Sequence, residues 1–281
     1  MKKKIKMKSF KEFLTEVDGT YEDGIIPEPI HFRGNTRIPT ESVPLPPITE
    51  QKKDFLVAPS ISSWLDIDDN AHHGENAAAI SKKLSDGDKF KPHHKKFISL
   101  YTEGDEDYSI ERVGIFHRTI NNLLLKNKNL LKNKNLEPDH REFIYGMDDT
   151  INRNRIPVKL SVYSGLKFDP ENYIRNGLLY SPSYISATHE KSTALEYANK
   201  RNPEDTIETV RGWRHIAQID LNPDDNASYI SNHSCYQNER ETIIGRGQTL
   251  KHNGTDWYWD GNREGYTKVH KFSIVPPKPP L

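Results

Sequence analysis

The stretch Tyr236-Gln237-Asn238-Glu239-Arg240-Glu241-Thr242-Ile243-Ile244-Gly245-Arg246-Gly247 sets two carboxylates two residues apart at the mouth of an apolar strand. Side chains at i and i+2 of an extended segment project from one face, so Glu239 and Glu241 are expected side by side. Neighbouring carboxylates repel unless a cation, hydroxyl or substrate separates them. Such a pair suits chemistry in which positive charge develops on a sugar. On the motif alone, a solvated strand end carrying two surface glutamates is the alternative.

Residues upstream shift that balance. Val158-Lys159-Leu160-Ser161-Val162-Tyr163-Ser164-Gly165-Leu166 alternates apolar and polar residues over its first half, the pattern of a half-buried strand, and ends near a glycine that permits close backbone approach or a turn. Tyr184-Ile185-Ser186-Ala187-Thr188 gives a second, short strand signal. A helix is predicted from Glu190 to about Lys200, with Ala194, Tyr197 and Ala198 on one face. The three motifs follow in order within roughly a hundred residues, the size of one domain.

In this order the motifs resemble those of the mono-ADP-ribosyltransferases of the arginine, serine, glutamate toxin class, which includes enzymes carried or made early by tailed phages. Tyr163-Ser164-Gly165 resembles the family's aromatic-Arg-Gly strand, Ser186-Ala187-Thr188 its Ser-Thr-Ser strand, and Glu239-Arg240-Glu241 its Glu-x-Glu turn. Ile120-Asn121-Asn122-Leu123-Leu124 resembles the helix that precedes the first core strand. The likeness covers roughly the last two-thirds of the chain. One position departs from it, because Ser164 stands where the family has arginine. A serine supplies neither the charge nor the planar fork of a guanidinium, so the role falls to Arg118 or Arg246, each of which otherwise reads as a surface salt-bridge partner, or the chain keeps the fold without the activity.

The resemblance implies NAD as substrate, with Tyr163, Ser164, Gly165, Thr188 and Asn121 at the cofactor-binding surface and Glu241, Glu239 and Ser186 as the catalytic set. Glu241 would stabilise an oxocarbenium-like transition state. Glu239 would orient and deprotonate the acceptor, a protein arginine, with RNA as an alternative. Ser186 would hold the catalytic glutamate or the nicotinamide end, or satisfy a neighbouring backbone group. The implied fold is α+β, a helical N-terminal subdomain followed by two facing, mostly antiparallel sheets with the cofactor cleft between them.

Composition sets the outer limits. With 281 residues, 34% of them hydrophobic, the chain can bury one sizeable core and a smaller subdomain. Lysine plus arginine and aspartate plus glutamate each number 40, so no overall field favours nucleic acid or an acidic membrane. The one cysteine, Cys235, excludes an intramolecular disulfide. No metal site is expected: His72-His73 and His93-His94 are adjacent pairs, which do not share a helix face, and they read as solvated. No Walker or Rossmann glycine pattern occurs.

Residues 1–16 are basic, with Phe10, Phe13 and Leu14 on one face of a short amphipathic helix and no apolar run fit for a signal peptide or membrane span. They resemble the capsid-targeting peptide of phage internal head proteins, with Leu14-Thr15-Glu16 as the cleavage tripeptide; an ordinary amphipathic arm is the alternative. That likeness implies a prohead protease and the capsid interior as partners, no membrane, and a passage from the virion interior to the host cytoplasm. Residues 17–54, rich in proline, read as a linker, and residues 55–281 as the ADP-ribosyltransferase-like domain. Helices are predicted between Ser60 and Thr150, one of them over Ile115–Leu125. The repeat of Leu124-Leu125-Lys126-Asn127-Lys128-Asn129 as residues 130–135 reads as a basic surface turn or helix extension. Trp257-Tyr258-Trp259 and Val269–Val275 read as closing strands.

Overall fold

The computed structural model describes residues 58–67, 69, 82–84, 90–102, 116–126, 130–132, 136–199, 214–261 and 265–276. The expected targeting peptide, the linker over 17–54, and the His72-His73 pair lie outside the described residues. Helices α1 (Ile61–Asp66), α2 (Pro92–Thr102), α3 (Phe116–Lys126) and α4 (Pro138–Arg153) precede the first strand, and α5 (Lys191–Asn199) lies among the strands. The strands are β1 (Leu160–Leu166), β2 (Leu178–Ser181), β3 (Ile185–Thr188), β4 (Arg214–Leu221), β5 (Ala227–Tyr229), β6 (Glu241–Ile244), β7 (Gln248–Asp260) and β8 (Gly265–Ile274).

The strands run in the order β2-β7-β8-β4-β1-β3-β6-β5, and only β4 and β8 pair in parallel. β1 and β4 pair along their length, from Leu160 opposite Leu221 to Leu166 opposite His215. β1 and β3 share a single Cα pair, Tyr163 with Thr188. The ladder therefore divides at that pair into a wide half, β2-β7-β8-β4-β1, and a narrow half, β3-β6-β5. These halves, joined in one eight-stranded sheet, correspond to the two mostly antiparallel sheets that the family resemblance implies.

Apolar side chains locate three layers of packing. Leu160, Val162, Leu179, Ile219, Leu250 and Phe272 of the wide half meet Ile185, Ala187, Ala227 and Ile244 of the narrow half in one core. Helices α2, α3 and α4 cover the outer side of the narrow half, where Phe97, Ile120, Phe143 and Met147 pack with Tyr184 and Ile243. On the outer side of the wide half, Trp64 of α1 and Ala194 of α5 pack with Tyr163, Ile216 and Tyr258. Covered on both faces, β1 is buried at every residue, which corrects the half-buried strand predicted from its alternation. Its polar positions are satisfied internally, Ser161 Oγ donating to Asp220 Oδ1 at 2.8 Å.

Helix α3 begins within a residue of its predicted start, and both leucines that end it, Leu124 and Leu125, are buried with Leu130. The leucines of the sequence repeat are therefore core anchors, and Lys126 between them is exposed; residues 127–129 and 133–135 lie outside the described residues. In α4, Pro138 occupies the first turn, where a missing N–H is harmless. Asp139 in that turn and Arg153 in the last complement the helix dipole. His94 overturns the solvated reading of its pair. It is 1% exposed, its Nδ1 accepts the Lys91 N–H at the start of α2 at 3.2 Å, and its Nε2 lies 3.1 Å from Asp149 Oδ2. Burial holds its pKa below the ordinary imidazole value. No helix among the described residues is long and apolar enough to cross a membrane.

Candidate active site

The three sequence motifs converge where the sheet divides. A cleft is lined by Tyr163, Ser164 and Gly165 of β1, Ser186, Ala187 and Thr188 of β3, Thr193, Ala194 and Tyr197 of α5, and the two carboxylates Glu239 and Glu241. Because only one Cα pair joins β1 to β3, the strand edges there leave room for side chains to face a ligand. Gly165 sets the third wall. A Cβ on it would lie 2.4 Å from the Ala194 carbonyl oxygen and 2.5 Å from the Ala198 nitrogen, so only glycine lets α5 rest directly on β1.

Both acidic residues reach the cleft, but not by strand alternation. Gln237–Glu239 forms a 3-10 turn, and Arg240 caps it in the left-handed region at φ 47°, ψ 51°. β6 begins only at Glu241. The reversal at Arg240 aims Glu239 and Glu241 at one space, and the expected i, i+2 pairing on a strand gives way to a turn. Arg240 points back along this surface, its Nη1 2.5 Å from Glu190 Oε1.

Each carboxylate has its own hydroxyl partner. Glu241 is 6% exposed, and Ser234 Oγ donates to its Oε2 at 3.3 Å. Ser234 Oγ accepts the Tyr236 N–H in turn, at 3.1 Å. Glu239 is half-buried, and the Tyr197 hydroxyl donates to its Oε1. Thr188 Oγ1 donates to the Glu239 carbonyl oxygen at 2.5 Å and accepts the Glu190 N–H at 3.0 Å, tying β3 to the acidic turn. Neither Ser234 nor Tyr197 was singled out as a site residue from the sequence. Tyr197 could have been found, since it shares the α5 face with Ala194, whereas nothing in the local sequence of Ser234 announces its contact.

Ser186 lines the cleft and is bonded on both sides. Its hydroxyl donates to the Tyr101 hydroxyl at 3.3 Å, and its carbonyl oxygen accepts Ser164 Oγ at 2.8 Å. Asn121 Nδ2 also reaches the Tyr101 hydroxyl, at 3.5 Å. Asn121 therefore stands behind the cleft rather than in its lining, with Oδ1 buried and without a hydrogen-bond partner among the described residues. A series of hydrogen bonds thus runs from the Asn121 amide of α3 through the Tyr101 hydroxyl of α2 to Ser186 of β3, whose carbonyl oxygen accepts from Ser164 of β1. Tyr163 carries a second set of contacts: its hydroxyl donates to Asp69 Oδ2, its ring meets Trp64 edge-on at 5.8 Å, and Lys191 Nζ lies 5.5 Å from its centroid.

The described residues that line the cleft include no lysine or arginine. Arg246, considered from the sequence as a replacement for the family arginine, is committed elsewhere. It grips Asp148 with Nε at 3.0 Å and Nη2 at 2.6 Å; burial opposes its charge, but Asp148 outweighs that and raises its pKa. The side chain of Arg118 lies outside the described residues. The donor set accordingly fits the sugar end of a nucleotide: hydroxyls and two carboxylates placed where a ring hydroxyl and a developing cation can meet them.

The sequence profile of the ADP-ribosyltransferase exoenzyme family matches residues 81–270. Among solved structures, Plx2a, an ADP-ribosyltransferase toxin from Paenibacillus larvae, aligns with a TM-score of 0.50 at 14% identity over 71% of this chain and 94% of its own. The Clostridium limosum C3 exoenzyme aligns at 0.49 with 15% identity, over 71% of this chain and 92% of its own. C3stau2 from S. aureus, solved with NAD, aligns at 0.47 with 14% identity, over 71% and 96%. The first of these bears on the fold alone, and it is the α+β fold described above. No curated protein sequence matches significantly.

Proposed function

The chain belongs to the ADP-ribosyltransferase exoenzyme family, and on that premise we propose that it transfers ADP-ribose from NAD to an arginine of a host protein, with Glu241 and Glu239 dividing the chemistry. NAD-dependent mono-ADP-ribosylation is the chemistry of the family, and NAD is its substrate. The observation that carries the residue assignment is the meeting of a buried and a half-buried carboxylate in one cleft, each fixed by a hydroxyl.

The roles follow from where charge develops. As the bond between ribose and nicotinamide breaks, nicotinamide leaves with the bonding electrons and the sugar carbon gains cation character. Glu241, held by Ser234, stabilises that charge at fixed geometry. The acceptor nitrogen then donates its lone pair to the sugar carbon, and its proton passes to Glu239, which Tyr197 orients. A guanidinium acceptor needs such a second carboxylate, because it must be steered as well as deprotonated. Thr188 and Ser186 belong to the same wall, with Tyr163, Ser164 and Gly165 opposite.

A second reading, a head or binding protein that retains the fold without activity, is favoured by Ser164 and by the absence of a cation among the described lining residues. One experiment separates the two. Wild-type protein incubated with labelled NAD and a bacterial extract should label protein, and the label should survive nuclease. Glu241→Gln should lower both transfer and NAD hydrolysis by on the order of 10²–10³, the scale of losing one electrostatic stabiliser. Glu239→Gln should lower transfer more than hydrolysis. Near-wild-type rates in Glu241→Gln would remove that residue from the mechanism, and wild-type protein that fails to bind labelled NAD would favour the second reading. Nuclease-sensitive label would replace the protein acceptor with RNA. The setting we propose is phage infection, with passage from the virion interior to the host cytoplasm; it rests on residues 1–16, which resemble a capsid-targeting peptide.

A further inference from the structure

A second cluster of chemistry-bearing side chains lies beyond the C-terminal end of β1, on elements far apart in sequence. His215 is the second residue of β4, His270 lies in β8, and Asp169 caps the 3-10 turn Pro170–Tyr173 that follows β1. His215 Nδ1 lies 3.0 Å from His270 Nε2. Asp169 Oδ1 is 3.7 Å from the first nitrogen and 3.9 Å from the second. His215 is 8% exposed and His270 0%.

We propose that Asp169, His215 and His270 form a binding site for one zinc-class divalent ion, which clips the turn after β1 to β4 and β8. At metal–ligand distances of ~2.0–2.1 Å, tetrahedral ligand atoms sit ~3.3 Å apart, so the observed triangle needs only small adjustments to close around an ion. Two imidazoles and one carboxylate select zinc or a similar transition metal over magnesium or calcium, which take oxygen ligands. Three protein ligands leave a fourth position for water.

The surroundings are arranged as an outer shell. The other ring nitrogen of His270, Nδ1, faces Thr255 Oγ1 at 3.2 Å and Glu171 Oε1 at 3.5 Å, the carboxylate–histidine relation that orients metal-binding imidazoles. Asp169 Oδ1 accepts the Glu171 N–H at 3.0 Å, which fixes the oxygen while leaving it a second lone pair. Lys268 Nζ engages the other oxygen, Oδ2, at 3.2 Å and Glu171 Oε2 at 3.4 Å, so Oδ1 stays with the histidines. Burial lowers the pKa of both histidines, and the neutral ring is the form that binds metal.

The position gives the ion a purpose independent of catalysis. His215 pairs with Leu166, two residues beyond Ser164, so the clip would hold the end of the strand that forms one wall of the cleft. His93, His94 and Asp149 also lie close together, but His93 is exposed and Arg153 Nε already binds Asp149 Oδ1 at 2.6 Å. The expectation of no metal site considered adjacent histidines, and this set is assembled by the fold from residues 169, 215 and 270.

The test uses the full chain without an affinity tag, stripped with chelator and titrated with Co(II). One equivalent should produce the intense visible absorption of a tetrahedral site, zinc should displace it, and zinc should raise the Tm by several degrees. His215→Ala and His270→Ala should abolish the absorption, Asp169→Asn should weaken binding at least tenfold, and His94→Ala should leave it unchanged. No uptake by wild-type protein at micromolar Co(II), or unchanged uptake in the His215 and His270 variants, would overturn the proposal, as would its loss in His94→Ala. Should the histidine variants fail to fold by circular dichroism, Asp169→Asn decides, since wild-type affinity there would also overturn it.

Discussion

Replacing Gly165 with alanine should separate the two carboxylates functionally without touching either. The added Cβ would lie 2.4 Å from the Ala194 carbonyl oxygen, 2.5 Å from the Ala198 nitrogen and 2.9 Å from Tyr197 Cβ. Ordinary contact begins near 3.4 Å, so the elements must part by about 1 Å to restore van der Waals separation. Two of the three obstacles are backbone and cannot rotate away. β1 is the less yielding partner, being paired with β4 over its full length and buried on both faces, so α5 moves. Overpacking of this kind costs about 1–3 kcal/mol, visible as a lower midpoint in urea. The displaced helix carries Tyr197, whose hydroxyl holds Glu239, whereas Glu241 is placed by β6 and Ser234. A misplacement of about 1 Å can lower a rate by up to 10²-fold, so transfer to the acceptor should fall by that order while NAD hydrolysis falls far less. Tyr197→Phe, which removes the hydroxyl and leaves the helix seated, should reproduce the split with at most about 1 kcal/mol of lost stability. Wild-type stability in Gly165→Ala would refute the packing. Equal losses of transfer and hydrolysis in both variants would refute the link between Tyr197 and Glu239.

Two further outcomes are expected. His189 stacks on Tyr229 with ring centroids 5.5 Å apart and has both ring nitrogens buried without hydrogen-bond partners among the described residues; burial, reinforced by Arg240, lowers its pKa from 6.5 to about 4. Its folded pKa lies below its unfolded value, so this contribution to stability is full above about pH 6.5 and is lost as pH falls toward about 4, about 2 kcal/mol by pH 5. Urea unfolding of wild type and His189→Gln between pH 7 and 5 should show the steeper loss in wild type, and parallel curves would exclude His189 as the source. If Leu14-Thr15-Glu16 is a processing site, the chain isolated from virions should begin at Val17, and N-terminal sequencing that finds residues 1–16 still attached would remove the delivery proposal.

The site was legible in the sequence wherever chemistry and local periodicity coincide. Tyr163-Ser164-Gly165, Ser186-Ala187-Thr188 and Glu239-Arg240-Glu241 read locally as strand or strand-end segments, and it was their resemblance, in that order, to the family motifs that implied one cleft, which all three line. The geometry of the acidic pair was not, because the left-handed turn at Arg240 replaces strand alternation and a non-glycine residue gives little warning of positive φ. β2, β4 and β5 went unread. β5 has only three residues, too few to announce a strand, whereas β4 carries a short alternating run, Ala217-Gln218-Ile219-Asp220-Leu221, that is legible as a strand. Contacts between distant elements were the least visible, as with the histidines of β4 and β8, since no local pattern encodes a partner 55 residues away.

Ser164 shows what the departure from the family pattern changes physically. The backbone ladder supplies one pair between β1 and β3 at the place where the cleft opens. Ser164 adds a stitch there, its buried hydroxyl donating to the Ser186 carbonyl oxygen at 2.8 Å. A brace between the two walls therefore survives without a guanidinium. Charge does not survive with it, because a hydroxyl cannot neutralise a pyrophosphate and Arg246 is already paired with Asp148. On the proposed reading the carboxylates and hydroxyls that would face the sugar lie among the described lining residues, and the phosphates would draw their cation from outside that lining. Arg118 on α3 and Arg240, exposed between the two glutamates, are two cations that can be tested for that task. A variant of either that weakens NAD binding while sparing the fold would locate the missing charge, and this makes binding, rather than turnover, the measurement that distinguishes a rewired enzyme from a retained fold.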